Sequence, residues 1–273
     1  MIKNVTKLVA MLCLLLSVSS CSDFQKILKS DSIEKKYDAA VAYYEKGDYY
    51  RAGILLEELI PLMRGSNEAE RAQYLYAKSQ FEQKNYILSS YYFQSFYQTY
   101  PRSPYVEEAM FLNAKSLYKD SPNFNLDQTN TYSAMEAITD FLTRYPNSQY
   151  AAEAREMEQS LLEKLEVKAF ENAKLYHQMR YYKAAVVALQ TFLKDYPESE
   201  FAEEAAYLKL DSQYNLARLS VEDKQQERYY DAIAFYQSFI DRFPNSKYLK
   251  SAENMYTNSL NEIEKLRAVS QSN

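Results

Sequence analysis

The sequence predicts an all-α protein, an α-solenoid of five stacked helix pairs with a long joining helix and a C-terminal capping helix. Three observations carry this. The 273 residues include only 3 Gly against 28 Tyr and 13 Phe, with no Trp and no alternating apolar-polar run that would mark a strand. One phrase, aromatic-Pro-x-Ser-x-aromatic, occurs four times, at residues 100–105, 145–150, 196–201 and 243–248. An alanine lies eight residues past each proline, at Ala109, Ala154, Ala205 and Ala252. Self-similarity at a period of tens of residues marks a repeat array, in which each unit buries its apolar face against the next.

The phrase reads as a joint between two helices. Proline has no amide hydrogen and clashes with the preceding turn, so a helix running into it must stop. The serine two residues on is placed to cap the next helix with its hydroxyl. Acids follow in the first turns (Glu107, Glu108, Glu153, Glu203, Glu204), where the helix dipole favours them. Counted back from each proline, position −5 is Phe96, Phe141, Phe192 and Phe239, and position −12 is Ser89, Ala134, Ala185 and Ala232. Position −15 is Tyr86, Thr131, Tyr182 and Tyr229. Tyr49, Ala52 and Leu59 fit the same frame one repeat earlier, with Arg64 where the proline would stand. The frame gives five repeats whose anchors are 37, 45, 51 and 47 residues apart.

Residues 1–20 read as a targeting segment. Lys3 and Lys7 make a positive start, and the apolar run over 8–16 is too short to span a bilayer comfortably. Val18-Ser19-Ser20-Cys21 resembles the bacterial lipobox, in which small residues precede a cysteine that is acylated and becomes the first residue. That resemblance implies diacylglycerol and an N-acyl lipid on Cys21, and no other cofactor. Each buried methylene contributes about 0.8 kcal/mol, so more than one chain gives a stable anchor, and the protein is expected to be tethered without spanning. Ser22, not aspartate, follows the cysteine, which by resemblance to lipoprotein sorting rules favours the outer membrane. Cys13 lies inside the leader, so the mature body has no thiol for a disulfide. Residues 21–31 are expected to be a lipidated tether.

The first helix pair is expected over 33–46 and 49–63, broken at Gly47-Asp48. Ala40, Tyr43, Gly47, Tyr49 and Ala52 resemble the small, aromatic, glycine, aromatic and alanine positions of the tetratricopeptide repeat. Small residues let paired helices approach closely, and aromatics fill the gap to the next pair. Repeats one to three occupy 32–147. In repeat three, the extra length over the 34-residue standard is the polar stretch 120–130, an elongated turn. Residues 148–179 hold no Pro or Gly and keep apolar residues at helical spacing through Leu161, Leu165 and Phe170. This predicts one long helix of roughly 48 Å joining two sub-arrays. Residues 148–266 hold that helix, repeats four and five and a polar capping helix, with the extra length of repeat five in the charged stretch 220–228. Residues 267–273 are expected to be a disordered tail.

The chemistry available is limited. The formal charge of −5, more negative once Lys3 and Lys7 leave with the leader, comes from interspersed signs and gives no support for nucleic-acid binding. Glycines only at 47, 53 and 65 cannot build a phosphate-cradling loop. His177 is the one histidine, and no thiol or second histidine can join it in a metal site, so it reads as a surface or packing residue. Adjacent acids such as Glu57-Glu58 and Glu107-Glu108 diverge on a helix, and nothing specific points to a glycosidase pair. No catalytic residue and no metal ligand is expected.

What remains is a binding surface. By the tetratricopeptide resemblance, first-helix residues line the concave face, which places Tyr37, Val41, Tyr44 and Glu45 beside Arg71, Tyr74, Lys78 and Phe81. Tyr37, Tyr44, Arg71, Tyr74, Lys78 and Phe81 are the candidate peptide-binding residues, since tyrosine offers apolar area with a polar handle at low entropic cost. With 28 tyrosines in the chain, repeat packing is the competing role for each one.

The lipobox, the long repeats and the joint together resemble the BamD family, the lipoprotein subunit of the machine that inserts β-barrels into the bacterial outer membrane. The resemblance covers about residues 24–260. Its most specific stretch is 144–150 with the long helix and Lys194-Asp195-Tyr196-Pro197 after it, and the insert with Asp127-Gln128 before Tyr132 falls where the family carries one. It implies a periplasm-facing, non-enzymatic scaffold anchored in the outer membrane. Such a scaffold docks on the barrel-forming BamA subunit through its C-terminal repeats. Its N-terminal repeats engage the aromatic C-terminal segments of unfolded outer-membrane proteins. The alternative is an envelope repeat lipoprotein that coordinates peptidoglycan synthesis or cell division. Those usually carry an N-terminal coiled coil, and no heptad run lies between Cys21 and Ile33.

Overall fold

The computed structural model describes residues 23–272; the leader over 1–20 and the acylation candidate Cys21 lie outside the described residues. Every described element is helical: α1 (Ile33–Glu45), α2 (Tyr49–Leu62), α3 (Ala69–Glu82), α4 (Tyr86–Thr99), α5 (Val106–Asp120), α6 (Thr129–Arg144), α7 (Ala151–Gln178), α8 (Tyr182–Asp195), α9 (Ala202–Arg218), α10 (Glu222–Arg242) and α11 (Leu249–Ser272). The described residues form two compact units that meet between Leu161 and Leu162, inside α7. In the first unit the pairs are α1/α2, α3/α4 and α5/α6. In the second, the end of α7 packs on α8 through Phe170 and Phe192, α9 pairs with α10, and α11 closes the stack.

Local chemistry starts and stops these helices. The Ser32 hydroxyl accepts from the Lys35 amide at 3.2 Å and the Asp48 carboxylate from the Arg51 amide at 3.2 Å, capping α1 and α2. Gly47 ends α1 at φ +77, a left-handed step natural to glycine. Lys84 (φ 63) and Arg180 (φ 61) take the same step after α3 and α7 despite their side chains. Where paired helices cross, Ala40, Ala52, Ala77 and Ala134 are fully buried. Ser89 takes the alanine place in α4, and its hydroxyl is satisfied by the Ala77 carbonyl at 3.3 Å and by Ser116 Oγ at 3.0 Å.

The joints share one backbone turn. The serine amide donates to the carbonyl of the aromatic before the proline, at 3.0 Å for Ser103 to Tyr100 and 3.1 Å for Ser148 to Tyr145. The expected helix cap is corrected here. The serine hydroxyl accepts from the amide two residues on, at 3.0–3.1 Å for Tyr105, Tyr150, Phe201 and Tyr248, and so closes a turn just upstream of the helix. The N-cap places belong to Tyr105 and Phe201, without a side-chain cap bond. The hydroxyl hydrogen is thereby free to cross to the preceding repeat. Ser103 donates to Glu70 Oε1 at 2.5 Å, Ser148 to Glu107 Oε1 at 2.6 Å and Ser246 to Glu203 Oε1 at 2.5 Å.

The last aromatic of each phrase lies flat on a ring of the preceding first helix. Tyr105 stacks on Tyr74 at 4.4 Å, Tyr150 on Phe111 at 4.5 Å, Phe201 on Phe170 at 4.7 Å and Tyr248 on Tyr207 at 4.3 Å. The buried phenylalanine of the second helix meets the same ring at a tilt: Phe96 on Tyr74, Phe141 on Phe111, Phe192 on Phe170 and Phe239 on Tyr207. Each joint thus fastens a first helix, a second helix and the next repeat through one aromatic cluster.

Several boundaries differ from the sequence reading. The expected tether is partly packed: residues 23–28 form a helical turn whose Phe24 is 7% exposed and meets Tyr43 edge-on at 5.7 Å, covering the open end of the first pair. The expected turn before α6 is ordered around buried Gln128, which donates to the Asn123 carbonyl at 2.8 Å and the Leu126 carbonyl at 3.0 Å. The charged stretch that holds the extra length of repeat five is helical from Glu222 and lengthens α10. The expected disordered tail is helical through Ser272, because Leu266 packs beside Ile263 and Tyr229 and Arg267 bonds the Tyr230 hydroxyl. The long helix holds 28 residues, or about 42 Å.

Phe192→Ala, which empties the cluster formed with Phe170 and Tyr196, should lower the stability of the second unit by about 3–5 kcal/mol in chemical denaturation. A variant that melts within a degree or two of wild type would show that the register is wrong. A double-mutant cycle of Ser148→Ala and Glu107→Ala should return a coupling of about 0.5–3 kcal/mol, and additive effects would remove the inter-repeat bond from the stability of the array.

Candidate functional site

Consecutive first helices lie against each other, α1 on α3, α3 on α5 and, in the second unit, α9 on α11, while consecutive second helices make no comparable contact among the described residues. The first helices therefore form the inner face of each stack. Tyr37, Tyr44, Arg71 and Phe81 line that face where α1 meets α3. Arg71 stands beside Tyr37 and Lys78 beside Tyr44, and burial pushes both tyrosine hydroxyls above the usual tyrosine range, leaving them neutral hydrogen-bonding groups. The Arg71 side chain is 48% exposed and lies 3.8 Å from Glu45 Oε1. Tyr44 meets Tyr49 edge-on at 5.3 Å, and Phe81 meets Tyr86 edge-on at 5.7 Å, so both rings are held in place while keeping an open side. The arrangement offers neutral hydroxyls, ring faces and an accessible cation, which suits an extended peptide.

Tyr74 and Lys78 are placed otherwise than the groove reading expects. Tyr74 is only 5% exposed, beneath Tyr105, and its buried hydroxyl has no hydrogen-bond partner of good geometry. Burial, with Glu108 close by, pushes its ionisation far above the usual tyrosine range. Lys78 lies 5.5 Å from the centre of the Tyr74 ring and pairs with Glu108 at 2.9 Å. The same rung recurs. Lys115 lies over Phe111 and pairs with Glu153 at 2.8 Å, and Lys174 lies over Phe170 and pairs with Glu204 at 2.7 Å. Both residues therefore belong to the stacking of repeats. At three of the four joints a lysine four residues past the first-helix ring, with a glutamate seven past the proline, is the signal that would have revealed the ladder; at the last joint Asp211 and Ser251 stand in those places.

The second unit carries a different surface. A cleft of about 870 Å³ is lined by Tyr176, Tyr181, Val187, Leu216 and Leu219, with Arg180, Lys183 and Arg228 at its walls and no acid among its lining residues. Tyr181 is 57% exposed and Leu219 65%, a concentration of apolar area beyond scattered surface residues. His177 has a structural setting, with Nδ1 3.0 Å from Ser212 Oγ and Nε2 3.5 Å from Asp211 Oδ2, whose carboxyl burial pushes up. Among the described residues no group of three or more His, Cys, Asp or Glu is placed to hold a metal ion, and no helix is long and apolar enough to cross a membrane.

The outer membrane lipoprotein family YfiO matches residues 29–217 and 173–265, which take in every joint. The chain is similar to the putative outer membrane protein assembly factor BamD of Aquifex aeolicus, 24% identical over 200 residues that make up 72% of this chain and 65% of that protein. The match thus spans just under two thirds of that relative's length. It is also similar to the outer membrane protein assembly factors BamD of Neisseria meningitidis serogroup B, 26% identical over 68% of this chain and 76% of that protein, and of Rickettsia prowazekii, 25% identical over 84% and 82%. The match extends across both units and the four-fold phrase: the chain belongs to the YfiO family of outer membrane lipoproteins.

Proposed function

We propose that the chain is a periplasm-facing, non-enzymatic scaffold of the machinery that assembles outer membrane proteins, held at the membrane by diacylglycerol and an N-acyl lipid on Cys21. Family membership and the relatives' names as assembly factors support this. The observation that carries it is the separation of two unlike binding surfaces, an inner face with open tyrosines on the first unit and an apolar, cation-walled cleft on the second. The cleft would dock a BamA-like barrel subunit by burying Tyr181, Val187 and Leu219 as anchors, with Arg180, Lys183 and Arg228 steering an acidic partner surface. The inner face would receive the aromatic C-terminal segments of unfolded outer-membrane proteins on Tyr44 and Phe81, with Arg71 placed for their carboxylate.

The cleft is tested by Tyr181→Glu/Leu219→Glu, two exposed positions whose change leaves the core intact. Affinity purification from detergent-solubilised membranes should recover a barrel protein with periplasmic repeats with the native chain and lose at least nine tenths of it with the variant. Undiminished recovery, or recovery of a peptidoglycan synthase in its place, would overturn the docking role. On the inner face, Tyr44→Ala/Arg71→Ala should weaken binding of barrel C-terminal peptides at least tenfold by fluorescence anisotropy. Unchanged affinity in the folded variant would remove the substrate role from this face.

A further inference from the structure

The first joint repeats the backbone of the four later ones and lacks the side chains that close them. The Ser66 amide donates to the Met63 carbonyl at 2.9 Å and the Ala72 amide to the Glu68 carbonyl at 2.9 Å, as Ser103 donates to Tyr100 and Ala109 to Tyr105 one repeat later. Gly65 at φ +84 lets the turn form without the proline. Four substitutions then follow from the register. Glu68 stands where Tyr105, Tyr150, Phe201 and Tyr248 supply the stacking ring. Ile33 stands where Glu70, Glu107 and Glu203 accept from the joint serine. Val41 and Arg71 replace the lysine and glutamate of the ladder.

Tyr37 is in register with Tyr74 and Phe111, 37 residues apart, yet among the described residues no ring lies flat on it. In place of that ring is a cavity of about 470 Å³ floored by Ile33, Tyr37, Leu62 and Met63, with Ile33 and Leu62 41% and 57% exposed. Three carboxylates, Glu34, Asp38 and Glu68, line it, and no base does. Arg71 stands beside the Tyr37 hydroxyl and 3.8 Å from Glu45 Oε1, outside the residues that line the cavity.

We infer that this opening is a slot for an aromatic side chain of an extended partner segment in which a lysine or arginine stands next to that aromatic. The later joints show what this position accepts, a ring lying flat at 4.3–4.7 Å. The three acids select a cationic neighbour and reject an aromatic at a chain end, whose own carboxylate would sit among them. The slot serves the face proposed above to receive extended chains and rests on that reading. The feature it takes is an internal aromatic beside a cation, distinct from the chain-terminal aromatic assigned to Tyr44, Phe81 and Arg71.

The test uses the full chain in detergent and three end-blocked twelve-residue peptides in a serine background, followed by fluorescence anisotropy. One has a central tyrosine between two lysines, one replaces the lysines with glutamates, and one replaces the tyrosine with alanine. The lysine-flanked peptide should bind at least tenfold more tightly than either of the others. Glu68→Tyr supplies the missing ring from the chain itself, and should weaken that peptide at least tenfold without lowering the melting temperature. Tyr37→Ala should weaken it to the same degree, and decides the matter if Glu68→Tyr does not fold. Equal binding of the three peptides, or full binding by either folded variant, overturns the slot. Barrel C-terminal peptides should bind Glu68→Tyr as they bind wild type. If wild type binds barrel peptides while it binds the lysine-flanked peptide no better than the two control peptides, the slot is wrong and the inner face stands, whereas loss of barrel peptides only in Tyr44→Ala/Arg71→Ala marks the two as separate sites.

Discussion

The flat ring-on-ring contact at each joint is the constraint on which the array depends. A lone helix pair leaves an apolar stripe in water, and only the neighbouring repeat covers it. The joint aromatic performs this while the adjoining proline ends the helix that delivers it, so chain direction and packing are settled in one six-residue phrase. The cluster is then sealed electrostatically. At three of the four joints a lysine lies over the first-helix ring, with its charge met by a glutamate of the following repeat at 2.7–2.9 Å. The ring supports the cation, and the carboxylate prevents its charge from being left half-buried.

Much of this architecture was legible in the primary structure because its signals are local. Proline, Gly47 and the alanines act within a turn or two, and they placed the helices to within a few residues. What escaped were the partners of those residues. Ser103 meets Glu70 across 33 residues and Ser148 meets Glu107 across 41, and inserts of unequal length blur any fixed spacing between them. For the same reason the ring-bearing positions Tyr74, Phe111, Phe170 and Tyr207 could not be phased from the prolines alone.

The inner face shows the same limit at single residues. Tyr37, Tyr44, Arg71 and Phe81 lie on the expected side of α1 and α3. Tyr74 and Lys78 share that stripe on α3, but whether such a residue is open or covered is decided by the next joint. Tyr105 covers Tyr74 and Glu108 engages Lys78. At Tyr37, Glu68 supplies no ring, so equivalent positions on successive helices differ in access. The two units also differ in charge. Acids line the opening at Tyr37 and bases wall the cleft near Tyr181, so a chain of modest net charge carries local potentials of opposite sign on its two units.

The serine bridges have a consequence for how the molecule is made. Each joins residues only 33–43 positions apart, so no long loop must close before a native contact forms. Folding of the first unit can nucleate at the joint around Pro101 and spread outward pair by pair as in other quasi-one-dimensional arrays. The opening pair, joined to its neighbour without a ring, a serine bridge or a lysine rung, is then the last to be secured and the first to loosen. The fastenings between repeats are thereby fewest at the amino-terminal end of the stack.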